Sequence, residues 1–264
     1  MVDYVDFAGR KIKYARFGRG SRTFLMLPGI FLNSVIDDWM LVEKAYGSFL
    51  DDYTFYLFDY QFIDFAYSIK DFANCFYHVV KSLGLSELYV FGVSMGGAIA
   101  QELAIAHPEM VKKLFLASTL ACNNETFDKV AKEWLSLARS YRIYELNEYF
   151  FKCCFTDSAL RNLEPNMSSL CKKGSIWDCD HFVLGLESLL KHDCRDSLKE
   201  IKCPTMVVGP DGDKVLGKGA SPYLSSLIPN SVLYMYEGYN HAVYDEAPDY
   251  KKRVYDFFGG SSGL

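Results

Sequence analysis

Short, unbroken apolar runs alternate along this chain with longer stretches whose apolar positions recur every three or four residues. Residues 4–7 and 12–15 instead alternate in polarity about the turn Ala8-Gly9-Arg10, the pattern of a hairpin. Continuous runs follow at 23–27, 54–60, 88–93 and 114–117, and again at 205–208 and 232–236. Helical periodicity fills the intervals near 38–50, 69–83 and 95–106, and returns near 219–227 and 248–258. Strands that lack alternation are those covered on both faces. The pattern therefore predicts an α/β fold: a mostly parallel eight-stranded sheet flanked by helices.

The alternation is interrupted once. Between residues 120 and 201 only aromatic-rich, helix-like segments occur, at 127–141, 144–155 and 182–191. Roughly 80 residues is too long for an ordinary connection, so a helical insertion after the sixth strand is expected. The predicted organisation is a core of 1–119 and 202–258, an inserted helical unit of 120–201, and a flexible Gly/Ser tail of 259–264.

Composition narrows the function classes. Half of the 264 residues are hydrophobic, enough for a sizeable core, and the charge is mildly acidic, 28 Lys+Arg against 33 Asp+Glu. Without a basic block, nucleic acid is not an expected partner. No apolar run reaches the ~18 residues of a membrane span, and Asp3 and Asp6 stand where a secretory leader would be basic. A cytoplasmic protein is expected. The eight cysteines include no C-x-x-C and read as reduced thiols. Cys171, Cys179, His181 and Cys194 match none of the usual zinc spacings, so no metal is expected.

The chemistry concentrates where the run 88–91 meets Gly92-Val93-Ser94-Met95-Gly96-Gly97 and then a helix. A serine in G-x-S-x-G at a strand-to-helix turn is the geometry of an exposed nucleophile, and the helix N-terminus favours developing negative charge. Neither G-x-x-x-x-G-K-[ST] nor G-x-G-x-x-G is present to suggest a phosphate loop. Serine needs a base and a group that orients it. Of the five histidines, His78 and His107 belong to helices, and His181 and His192 to the insertion. His241 falls in a loop straight after the last strand, where open α/β sheets carry their active crevice. The loop after the seventh strand offers Asp211 and Asp213. Asp213 is preferred, because an early turn carboxylate such as Asp211 commonly bonds local backbone.

Taken together, the 92–97 elbow, the order Ser94…Asp213…His241, the gap after the sixth strand, and His107-Pro108-Glu109 resemble the α/β-hydrolase family over nearly the whole chain. The resemblance implies an eight-stranded hydrolase fold with a helical cap after strand six. It implies Ser94 as nucleophile, His241 as base and Asp213 as its partner, with no cofactor. The oxyanion hole would use the backbone N–H groups of Met95 and of Ile30, Phe31 being the other candidate in that loop. The loop reads Pro28-Gly29 where the family often has His-Gly, and residues 60–64 lack the family's usual Gly/Pro character. The implied activity is hydrolysis of a small to medium, largely apolar ester or thioester through an acyl-enzyme. The alternatives are C–C bond, amide or lactone hydrolysis, acyl transfer, or a non-catalytic binding module. The expected partner is a small-molecule acyl substrate contacted by Phe31, Trp134, Phe151 and Trp177. Neither these residues nor the sequence speak to oligomeric state.

Overall fold

The computed structural model describes residues 1–60 and 67–259, so Gln61, Phe62, Ile63, Asp64 and the tail beyond Gly259 lie outside the described residues. Its eight strands are β1 Val2–Phe7, β2 Arg10–Gly18, β3 Arg22–Leu27, β4 Tyr53–Phe58, β5 Leu88–Val93, β6 Val111–Ala117, β7 Thr205–Pro210 and β8 Ser231–Tyr236. They form one sheet in the order β1-β2-β4-β3-β5-β6-β7-β8. β2 runs antiparallel to β1 and β4, and every other pairing is parallel. The hairpin turn works because Ala8 and Gly9 both take positive φ, the geometry of a two-residue turn that matches strand twist.

The core helices are α1 Trp39–Ala45, α2 Ile69–Ser82, α3 Met95–Ala106, α8 Ala220–Leu227, α9 Val243–Glu246 and α10 Tyr250–Phe258. Four more, α4 Glu125–Arg139, α5 Ile143–Cys154, α6 Asp157–Leu170 and α7 Ile176–Leu190, form the insertion between β6 and β7. Near the two ends of this segment, Cys122 and Asp193 pair as an isolated antiparallel bridge.

Two predicted elements differ. The helix expected over 38–50 is three short turns, Val35–Asp38, α1 and Gly47–Phe49. The breaks let Tyr46 and Phe49 bury their rings against Phe24, at centroid separations of 6.2 and 5.9 Å. α6 gave only a weak sequence signal: Leu160, Leu163, Met167 and Leu170 recur at helical spacing, but none is fully buried and Pro165 interrupts the run. Gly259, expected in the tail, instead closes α10 in the left-handed conformation that favours glycine.

Apolar layers cover both faces of the sheet. One joins α2 and α3 to the insertion. The other centres on Phe24, stacked on Phe55 at 4.3 Å and meeting Phe258 edge-on at 5.2 Å. The strand order reverses direction beside β3: its connection leads out to β4, whereas that of β5 leads to β6 on the opposite side. Loops diverging in this way open the crevice in which α/β sheets bind ligands. The turns after β3 and β5 therefore face one another.

Candidate active site

The turn from β5 into α3 holds Ser94 at φ 51° and ψ −118°, strained for a residue with a side chain. Its neighbours hold it there. The Ser94 N–H donates to the Ala117 carbonyl at 2.9 Å, and its carbonyl accepts from the Thr119 hydroxyl at 2.7 Å. The flanking glycines are sterically required. A β-carbon on Gly92 would lie 2.6 Å from the Gly96 carbonyl oxygen, and one on Gly96 would overlap the Leu27 and Pro28 carbonyls. The β3 loop thus sits directly on the elbow.

The structure brings the three predicted side chains together. His241 Nε2 lies 3.2 Å from Ser94 Oγ, and His241 Nδ1 lies 3.0 Å from Asp213 Oδ2. All three are buried. Asp213 Oδ1 also accepts the Val215 and Leu216 N–H groups at 2.9 and 2.8 Å, which fixes the carboxylate. Asp211 instead accepts the Gly238 N–H at 2.8 Å, which ties the loop after β7 to the loop after β8. The other histidines are occupied elsewhere: His78 stacks on Phe7, His107 on Tyr77, and His181 Nδ1 meets the Trp177 carbonyl.

Three supporting residues escaped the sequence reading. Buried Asn240 accepts from the N–H groups of Lys214 and His241 and donates to the Phe155 carbonyl at 3.0 Å. One amide therefore ties the Asp213 loop, His241 and the insertion together, and its only trace in the sequence is a place beside His241. Ser118, at φ 42°, donates to the His241 carbonyl at 2.8 Å. Tyr60 donates its hydroxyl to the Gly29 carbonyl, and its oxygen accepts the Phe31 N–H. Burial pushes that phenol well above its ordinary pKa, so it remains a neutral strut.

The insertion closes over this centre. On α7, a β-carbon at Gly185 would lie 3.2 Å from both Ile30 Cδ1 and Met95 Sδ. Beside it is a cavity of about 180 Å³ lined by Phe31, Leu32, Leu146, Phe150, Phe151 and Phe182, with Asn33, Asn147, Asp38 and Lys173 on its polar side. Phe31 and Phe151 line this cavity, whereas Trp134 and Trp177 do not. Trp134 is fully buried, stacked on Phe150 at 4.9 Å and edge-on to Phe182, so it packs behind the cavity wall. Trp177 is 46% exposed and lines a separate surface cleft with Lys13 and Asp37. Trp134 follows a general rule: aromatics at helical spacing more often pack than contact ligand. Among the described residues, Cys171, Cys179 and His181 form no ligand-like cluster with Cys194, which lies instead beside Glu102 and His192.

The comparisons agree with this architecture. The alpha/beta hydrolase fold model matches residues 23–147, from β3 through the elbow into α5. The chain has the α/β-hydrolase fold. It is 27% identical, over 96% of its own length and 93% of the relative's, to a 2-hydroxy-6-oxononadienedioate/2-hydroxy-6-oxononatrienedioate hydrolase of Klebsiella pneumoniae. It is 24% identical to a pimeloyl-[acyl-carrier protein] methyl ester esterase of Aromatoleum aromaticum, over 61% of this chain and 69% of that one. Among solved structures, MGS-M2, an alpha/beta hydrolase from a Medee basin deep-sea metagenome library, superposes with a TM-score of 0.87 at 18% identity, covering 99% of each chain.

Proposed function

We propose that the protein is a serine hydrolase that cleaves a small to medium, largely apolar carboxylic ester or thioester through an acyl-enzyme on Ser94. The observation that carries this reading is the continuous Ser94–His241–Asp213 chain on a strained elbow. His241 takes the Ser94 proton as Oγ attacks the acyl carbonyl. Asp213 stays ionised, fixes the imidazole tautomer and stabilises the imidazolium. The leaving group departs with that proton, and a water repeats the sequence to release the acid.

The developing oxyanion meets the Met95 N–H at the start of α3 and the Ile30 N–H. Ile30 is favoured over Phe31 because the Phe31 N–H is already engaged by Tyr60. Each such donor is typically worth about 3 kcal/mol of barrier. The phenylalanine-rich cavity suits an acyl chain without charge, since its cation, Lys173, already faces Asp38 at 3.7 Å.

Hydrolysis of a carbon–carbon bond beside a ketone is the second reading. It is favoured by the Klebsiella relative, whose name specifies a 2-hydroxy-6-oxo dienedioate and whose match spans the chain. A fluorophosphonate probe, followed by a panel of short- to medium-chain esters, thioesters and a 2-hydroxy-6-oxo dienoate, separates the readings. Labelling of wild type and not of Ser94→Ala, with turnover of the esters, supports the proposal. Turnover of the dienoate alone moves the same triad to carbon–carbon cleavage. Absence of labelling and of all turnover overturns the enzyme reading.

A further inference from the structure

Away from the triad, Glu102, His192 and Cys194 each present a donor atom, all within 4.8 Å of one another. All three residues are more than nine-tenths buried, at 5%, 6% and 2% exposure. Glu102 Oε1 and His192 Nε2 have no hydrogen-bond partner among the described residues. Such orphaned buried polar atoms are rare in folded proteins and call for an explanation. The internal contacts do not provide one. His192 Nδ1 and Glu102 Oε1 are 3.6 Å apart, too far for a hydrogen bond, and Cys194 Sγ donates to Gln101 Oε1 at 3.2 Å and to the Ala121 carbonyl at 3.4 Å.

The geometry points to a structural divalent-metal site of the zinc class, held by the Glu102 carboxylate, a His192 imidazole nitrogen and the Cys194 thiolate. Carboxylate, imidazole and thiolate are all zinc ligands, and three protein donors leave the fourth position of a tetrahedral ion open to a water. In a tetrahedral site the donor atoms stand about 3.5 Å apart, so donors that lie within 4.8 Å of one another need close by little more than an ångström. Charge also balances. One carboxylate and one thiolate neutralise a dication, which suits burial, and the thiol proton leaves to solvent as the metal–sulfur bond forms.

Without an ion, burial drives all three groups toward their neutral forms: the carboxyl and the thiol are pushed up, and the imidazole is pulled down to about 4. A metal reverses that preference for the carboxyl and the thiol. Lys70, exposed on α2, is the cation whose field acts on all three, and it works against the ion.

The position gives the site a role. Glu102 lies on α3, the helix that follows Ser94, while His192 and Cys194 lie where the chain returns from α7. The same strip carries the Cys122–Asp193 bridge and the Cys194 N–H bond to the Ala121 carbonyl at 3.0 Å. An ion here would clamp the stem of the insertion to the elbow helix.

The test is cobalt(II) titration of the chelator-stripped full chain, followed by its thiolate-to-cobalt charge-transfer band. The expected result is a band that saturates at one ion per chain, competes away with zinc and survives in Cys203→Ser. It is lost in Cys194→Ser, and Glu102→Gln weakens cobalt affinity by at least about tenfold. Should Cys194→Ser fail to fold, X-ray absorption on the zinc-loaded wild type showing one sulfur with nitrogen and oxygen neighbours supports the same assignment. No saturable band in the wild type, a band that persists in Cys194→Ser, or a sulfur-free first shell overturns it.

Discussion

Asp213 supports its loop and orients the base with a single carboxylate: one oxygen holds the Val215 and Leu216 N–H groups, and both face His241 Nδ1. Asn at this position would keep the backbone bonds through its carbonyl but turn an NH₂ toward Nδ1, forcing the wrong imidazole tautomer. Asp213→Asn is expected to lower kcat about 10⁴-fold, the cost of the same change in a well-studied triad, with the melting temperature little changed. Stopped assays beside thermal unfolding check both halves. Ser94 was legible in the sequence because its glycines are demanded locally, by backbone atoms within four residues or on the adjoining β3 loop. His241 and Asp213 were legible only through position at strand ends. Trp134 and Trp177 were not, because the same helical spacing of aromatics serves packing, surface and ligand contact alike. Asn240, Ser118 and Tyr60 act through backbone groups distant in sequence, for which a single chain offers no spacing rule.

Among the elements, α7 is where the insertion bears on the chemistry. Gly185 lets that helix approach Ile30 and Met95, the two residues assigned to the oxyanion hole. Alanine there would press on the flexible Met95 thioether, a small strain set against the ~1 kcal/mol that alanine gains over glycine in a helix. Leucine has no such room. Gly185→Leu is expected to cut kcat/KM by at least tenfold while circular dichroism keeps its helical signal, whereas Gly185→Ala stays near wild type. The strands were readable because burial on both faces leaves continuous apolar runs. α6 was not, because Pro165 reads as a break in its apolar repeat and that repeat is only half-buried.

At the scale of the whole molecule, the insertion is bonded to the base loop as well as packed on the core. The Ala242 N–H donates to the Cys154 carbonyl at 2.8 Å, Asn240 to that of Phe155, and Glu246 accepts both the N–H and the hydroxyl of Thr156. Removing the carboxylate loosens this latch without touching the triad. Glu246→Ala is expected to speed amide exchange over residues 154–160 while β5 stays protected, and to raise KM more than it lowers kcat. Hydrogen-exchange mass spectrometry with steady-state kinetics reads both. Unchanged exchange over residues 154–160 together with an unchanged KM would show the latch to be idle.

That latch also constrains how such a chain could diversify. Exchanging its lid for a relative's, as if it were a detachable cassette, would sever the bonds that register the imidazole against the serine. A graft confined to residues 123–192 should therefore lose turnover toward every substrate, its donor's included, until the recipient loop around His241 is swapped along with it.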